Sequence, residues 1–127
     1  MEGRFPDGGK IKVRMWMINP SLLCKKHLMG EHFEIHKHRH VFEKGYSIEG
    51  RKGQIEPLAM KKRHDEIALE MENRGYSHKS PYDMPSLGKY NNLDSFTVDV
   101  NISLNDLMNR CPHCKNIIEN SKNKANI

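Results

Sequence analysis

The chain has 127 residues, of which 36% are hydrophobic, 29% charged and 7% aromatic, with a net charge of +5 and a pI near 9.2. This is one domain's length of chain. No apolar run approaches the ~20 residues that cross a bilayer, the opening MEGRFPDGGK has no apolar stretch suited to a secretion signal, and three cysteines cannot all pair internally, so membrane, exported and disulfide-scaffold classes give way to a cytoplasmic protein.

The basic excess is uneven. Residues 1–64 hold 14 basic against 7 acidic side chains, the remainder 7 against 9, and six of the eight histidines fall in the first part. Such a half favours a polyanion partner, because each phosphate contact releases condensed counterions. A solvated basic surface accounts for the same charge.

In chain order, residues 1–12, with Gly3, Pro6, Gly8 and Gly9, read as an unstructured lead-in. Trp16 reads as a core plug for the N-terminal segment or, alternatively, as a base-stacking residue. Asn19 as N-cap and Pro20 at the first helical position predict a helix reaching about Lys37, with Leu22, Leu23, Leu28, Met29, Phe33 and Ile35 as its apolar positions. Gly45, Gly50 and Gly53 mark a loop. Pro57 opens a second helix, with Gly75 as its C-terminal stop. Pro81, Pro85 and Gly88 predict a long irregular connection, and 97–100 alternates weakly like a strand. Ser103 is expected to cap a third helix that Pro112 stops, leaving 115–127 as a flexible tail. The expected fold is therefore all-α, a compact three-helix bundle with long irregular loops, with one domain over 13–114.

Three constellations carry chemistry. On the first helix Leu23, His27, Gly30, Glu31, Glu34 and His38 follow steps of three and four and share a face, where paired carboxylates suit acid–base work. An ordinary polar face has the same spacing. His32, His36 and His40 recur every four residues, suiting metal chelation or a phosphate-facing basic stripe. Cys111-Pro-His-Cys114 has zinc-knuckle spacing, but no second CxxC exists. Cys24 and His27 are the one convenient complement, so no metal is expected, with Cys24, His27, Cys111 and Cys114 as the ligand set if zinc is bound.

With these segments in view, the chain resembles the pyrimidine-dimer DNA glycosylases, the phage endonuclease V-like group. Arg14-Met-Trp-Met-Ile-Asn-Pro is similar to that family's N-terminal segment. His27-Leu-Met-Gly-Glu-His-Phe-Glu-Ile is similar to its active-site helix, patterned His-Leu-Met-Ala-Glu-x-x-Glu-Leu. Residues 62–76 resemble its second helix and the Arg-Gly-aromatic that ends it, and 101–107 the start of its third. The resemblance spans most of 13–114 and implies a three-helix bundle acting on double-stranded DNA as a monomer, without cofactor.

By that resemblance Glu34 takes the place of the catalytic glutamate and Glu31 that of its acidic neighbour. His27 opens the motif, Arg14 matches an arginine just after the reactive terminus, Lys37 stands at a DNA-contacting arginine, and Arg110 at a basic residue late in the third helix. Lys26 extends the basic surface with Lys61, Lys62 and Arg63, while Asp106 departs from the family's expected basic residue. The family's nucleophile is an N-terminal α-amine, which counting back from His27 places at Val13. A GTG start at that codon, behind a Gly8-Gly9 stretch that can encode a ribosome-binding core, is the expectation that frees this amine. The rival readings are a non-catalytic nucleic-acid-binding protein of the same fold and a zinc-stabilised small domain.

Overall fold

The computed structural model describes residues 14–77 and 81–125. The expected lead-in over 1–12 and the amine at Val13 lie outside them. Four α-helices are present among the described residues, and no strand: α1 Lys25–Lys44, α2 Met60–Asn73, α3 Val100–Arg110 and α4 Pro112–Ala125.

The α1 segment begins later and ends later than its signals suggest. The Asn19 side chain does accept from the Ser21 N–H, but it caps a single 3₁₀ turn, Pro20–Leu22. The chain then extends through Leu23, and Cys24 caps α1 proper. Without proline or a second glycine the helix continues for 20 residues to Gly45, whose φ of 73° supplies the left-handed stop. Its buried positions are Leu28, Glu31, Ile35, His38 and Phe42, at alternating steps of three and four. Two of these five are polar, which obscures the apolar period in the sequence.

Pro57 starts a 3₁₀ turn that leads into α2, and Gly75 at φ 86° follows its end. The buried stripe of α2 is Met60, Arg63, His64, Ile67, Ala68 and Met71. Helices α1 and α2 pack together, with Glu31 facing Arg63 in the core. Among the described residues 97–100 there is no strand. Asp99, rather than Ser103, caps α3, its carboxylate accepting from the Asn101 and Ile102 N–H groups. Ser103 lies fully buried one turn inside.

Pro112 does not end the helical part of the chain. Cys111 closes α3, and Pro112 takes the first position of α4, where it needs no N–H partner. The bundle thus has four helices rather than three, the last occupying the stretch expected to be a tail. Helices α3 and α4 pack on each other, and α4 and α2 both contact the 20–22 turn. One core joins Met15, Trp16 and Ile18 to Leu28, Ile35 and Phe42, to Ile67 and Met71, and to Leu107 and Ile118. Trp16 is thereby a core residue.

Candidate active site

Residues 14–18 run through the core as a pinned segment. The Met15 N–H donates to the Gln54 carbonyl at 2.9 Å, and the Ile18 carbonyl accepts from Arg63 Nη1 at 2.6 Å. Between them Met17 holds φ 61°, a strained value for a side chain without a compensating hydrogen bond of its own type. The Arg14 guanidinium stacks over Trp16 with 4.4 Å to the ring centroid and donates to Asp106 at 2.9 Å. Arg110 approaches the same ring at 5.9 Å. Trp16 also meets His27 edge-on, the centroids 5.7 Å apart. The structure therefore brings Arg14, Trp16, His27, Asp106 and Arg110 together. Asp106, which departs from the expected basic pattern, ties Arg14 to α3.

Two helical turns beyond His27, about 10 Å along α1, lies Glu34. Its side chain is 17% exposed, and Lys37 Nζ stands 3.8 Å from Oε1. Burial raises the Glu34 carboxyl above its ordinary value, with Lys37 pulling partly in the other direction. Glu34 sits at the border between the buried stripe of α1 and its open face. That face carries Lys26, Met29, Phe33, Lys37 and His40, again at steps of three and four. Phe33 is 61% exposed, and Lys37 Nζ lies 5.5 Å from its ring centroid. Expected among the apolar positions that pack the helix, Phe33 and Met29 instead face outward beside the carboxylate. Gly30 interrupts this face, and a Cβ there would touch nothing within 4 Å, so the glycine leaves an open notch rather than relieving a clash.

The shared face expected from helical spacing divides in two. Glu31 and His38 turn inward, and only Glu34 and His27 remain at the border. Glu31 has no side-chain exposure, and its two oxygens accept from Arg63 Nε at 2.6 Å and Nη2 at 2.9 Å. Expected at the substrate, it is a buried tie between α1, α2 and, through Arg63, the N-terminal segment. Arg63, expected in a basic surface cluster, is 2% exposed and cannot reach DNA. Lys61 and Lys62 do face solvent. A signal was available: Arg63 falls three residues after Met60 and four before Ile67, on the apolar stripe of α2.

The histidine run also splits. His38 is buried, its Nδ1–H donates to the Glu34 carbonyl at 3.2 Å, and burial lowers its pKa to about 4. His32 and His36 turn toward α2, where their rings lie 5.0 and 4.9 Å from that of His64. Only His40 keeps the exposed position that a solvent-facing stripe requires. The coming together of His32, His36 and His64 was not legible, since His64 is on another helix.

The lone CxxC acquires its complement in space. Cys24 Sγ is 3.3 Å from His27 Nδ1 and 3.8 Å from Cys111 Sγ, and Cys114 Sγ is 3.6 Å from the same His27 nitrogen. All three cysteines are buried and free. Burial, then Lys26 and Arg110, lowers the His27 imidazole below its ordinary value, leaving it neutral at pH 7.

The fold and this border carboxylate, set among cations on an open helix face, define a small all-helical domain built around the α1 motif. The family described as pyrimidine dimer DNA glycosylase matches residues 13–84, and the chain belongs to it. The match covers α1 and α2 and stops before α3 and α4. No curated protein and no solved structure matches the chain. No helix among the described residues is long and apolar enough to cross a membrane.

Proposed function

We propose that the chain is a DNA-repair glycosylase with associated abasic-site lyase activity, acting as a cytoplasmic monomer on pyrimidine dimers in duplex DNA. The observation that carries this reading is Glu34: a half-buried carboxyl with a raised pKa, beside Lys37 and the exposed Phe33, on the residue that the motif resemblance sets against the family's catalytic glutamate. Family membership makes DNA the substrate class, and Lys26, Lys37, Arg14 and Arg110 are the cations that would meet phosphates.

The nucleophile of the reading is an α-amine at residue 13. An α-amine has a reference pKa near 7.7–8.0, so a modest downward shift leaves it largely unprotonated at neutral pH. Its lone pair attacks the sugar C1′ and the glycosidic bond breaks, with that electron pair leaving on the base. Loss of the amine proton and opening of the sugar ring give an iminium between protein and C1′. Removal of a C2′ proton then expels the 3′-phosphate, nicking the strand, and water releases the product from the amine. Glu34, as carboxylate, stabilises the positive charge developing at C1′ and relays protons at the sugar. The duplex must be bent or a nucleotide turned out, since stacked bases otherwise screen C1′.

Borohydride trapping on abasic and dimer-containing duplexes tests this. A chain initiated at codon 13, with Met in place of Val13, is expected to nick and be trapped, and the 127-residue chain to do so weakly. Glu34→Gln should bind DNA and lower nicking by ~100-fold or more. Equal trapping of the two N-terminal forms rejects the amine assignment. Full activity of Glu34→Gln rejects the carboxylate, and binding without any trapping leaves a non-catalytic DNA-binding protein.

A further inference from the structure

We propose that Cys24, His27, Cys111 and Cys114 form a structural zinc site that fastens the α3–α4 pair to the N-terminus of α1. Four potential ligand atoms, three Sγ and one ring nitrogen, all lie within 4.8 Å of one another. A tetrahedral zinc with Zn–S of about 2.3 Å and Zn–N of about 2.05 Å sets its sulfurs about 3.8 Å apart and each sulfur about 3.6 Å from the nitrogen. The Cys24–Cys111 separation is 3.8 Å, and His27 Nδ1 stands 3.3 and 3.6 Å from Cys24 and Cys114. The same Nδ1 faces both sulfurs, so a single nitrogen points into the space they share.

Backbone amides supply a second, independent observation. The Cys24 N–H is directed at Cys114 Sγ at 3.3 Å, and the Cys114 N–H at Cys111 Sγ at 3.4 Å. Such donors favour sulfur as thiolate, the form that binds metal, and orient it as outer partners of a zinc site do. The elements that hold the ligands are helix ends. Cys24 is the N-cap of α1, yet its side chain makes no capping bond, and His27 follows in the first turn. Cys111 closes α3, and Cys114 lies in the first turn of α4. Pro112 permits this by ending one helix and starting the next, which turns both CxxC sulfurs to the same side.

The composition of the site is that of a closed structural centre: four protein ligands, three of them sulfur, buried against the core. On binding, Zn²⁺ replaces the three thiol protons, which pass to solvent, and the Cys₃His set carries one net negative charge. Lys26 and Arg110 lie near His27 and offset it. Two of the ligands are inside the family match and two are beyond it. The metal therefore serves to attach the last two helices to the part of the chain that bears Glu34, and it plays no part in the proposed glycosylase chemistry. The single CxxC that argued against a metal in the sequence is half of a site split over 90 residues.

The test is metal content of the full 127-residue protein, purified without chelator, together with the visible spectrum after Co²⁺ exchange. One zinc per chain and the intense bands of tetrahedral thiolate-bound cobalt are expected, with the three thiols unreactive until chelator is added. Cys114→Ser and His27→Ala should reduce zinc from one equivalent to near zero. His27→Cys should retain it, which separates loss of a ligand from a failure to fold. His113→Ala, at the exposed position inside the CxxC, should retain it as well. A protein without zinc whose thiols react freely in the native state overturns the proposal. So does zinc that persists in Cys114→Ser but is lost in His64→Gln, which places the metal on His32, His36 and His64 instead. None of these readouts depends on DNA cleavage.

Discussion

Replacing Arg63 with methionine tests whether Glu31 is a tie or a substrate contact. The guanidinium donates three hydrogen bonds, to both Glu31 oxygens and to the Ile18 carbonyl, at 2.6 to 2.9 Å. Both side chains are shut off from solvent, so Arg63→Met strands a carboxylate inside the protein. Breaking one partner of a buried pair costs about 3–5 kcal/mol, a large part of the 5–15 kcal/mol that typically holds a domain together. Glu31→Met costs less, about 3 kcal/mol at the low end of that range, because Arg63 keeps the Ile18 carbonyl and has Glu66 at 3.9 Å. In Glu31→Met/Arg63→Met the stranded charge is gone, and mainly the Ile18 carbonyl is left unpaired, for about 1–3 kcal/mol. The double variant should therefore be no less stable than Arg63→Met, and the coupling should reach about 2 kcal/mol or more. Urea unfolding followed by Trp16 fluorescence at pH 7 measures all four proteins. If Arg63→Met lies within about 1 kcal/mol of the parent, or the two single effects simply add, the pair does not tie the core, and Glu31 returns as a group free to meet substrate.

Other consequences are open to direct measurement. His38 has its folded pKa depressed to about 4 from 6.5, first by burial and then by Arg51 and Lys37 against the Glu34 carbonyl. Its stabilisation is therefore complete above the unfolded value and is lost as pH falls from about 6.5 toward 4. That amounts to about 2 kcal/mol between pH 7 and pH 5, and unfolding curves of His38→Asn should lack this increment. An unchanged slope in the variant would show that His38 is not the titrating group. Lys37→Gln should lower the salt dependence of DNA binding by about one phosphate contact, a slope change near 0.9. It should also move the acidic limb of the nicking profile to higher pH, because a cation that holds the Glu34 carboxyl down is removed. An identical slope and limb would place Lys37 outside the site.

The helical class of the fold was legible because its signals are local: Pro57 and Gly75 bracket α2, whereas α1 runs past its expected end near Lys37 to Gly45. The fourth helix was hidden because proline both ends and begins helices. After Cys111 it does the second. Glu34 and Lys37 were legible as neighbours one turn apart on α1. The roles of Glu31 and Arg63 depend on a partner 32 residues away, and the orientation of Phe33 depends on which side α2 covers. Neither is contained in a single-helix period. The cysteine and histidine group was readable as a composition but not as a site, since Cys24 and Cys114 meet only through the packing of α4 against the 20–22 turn.

The pinning of residues 14–27 by partners from both the middle and the last third of the chain also sets an order of assembly. Glu31 and Arg63 close a segment of 32 residues, whereas Arg14–Asp106 and Cys24–Cys114 close 92 and 90. Bringing ends together over 90 rather than 32 residues costs about 0.9 kcal/mol more in chain entropy. Once either long closure has formed, the other lies nearly within the same loop and adds little further. The α1–α2 pair is thus expected to nucleate, with α3 and α4 arriving together in one late cooperative step. A substitution at Asp106 should then accelerate unfolding while barely slowing folding, so the side chain that departs from the family pattern governs how long the finished protein stays closed.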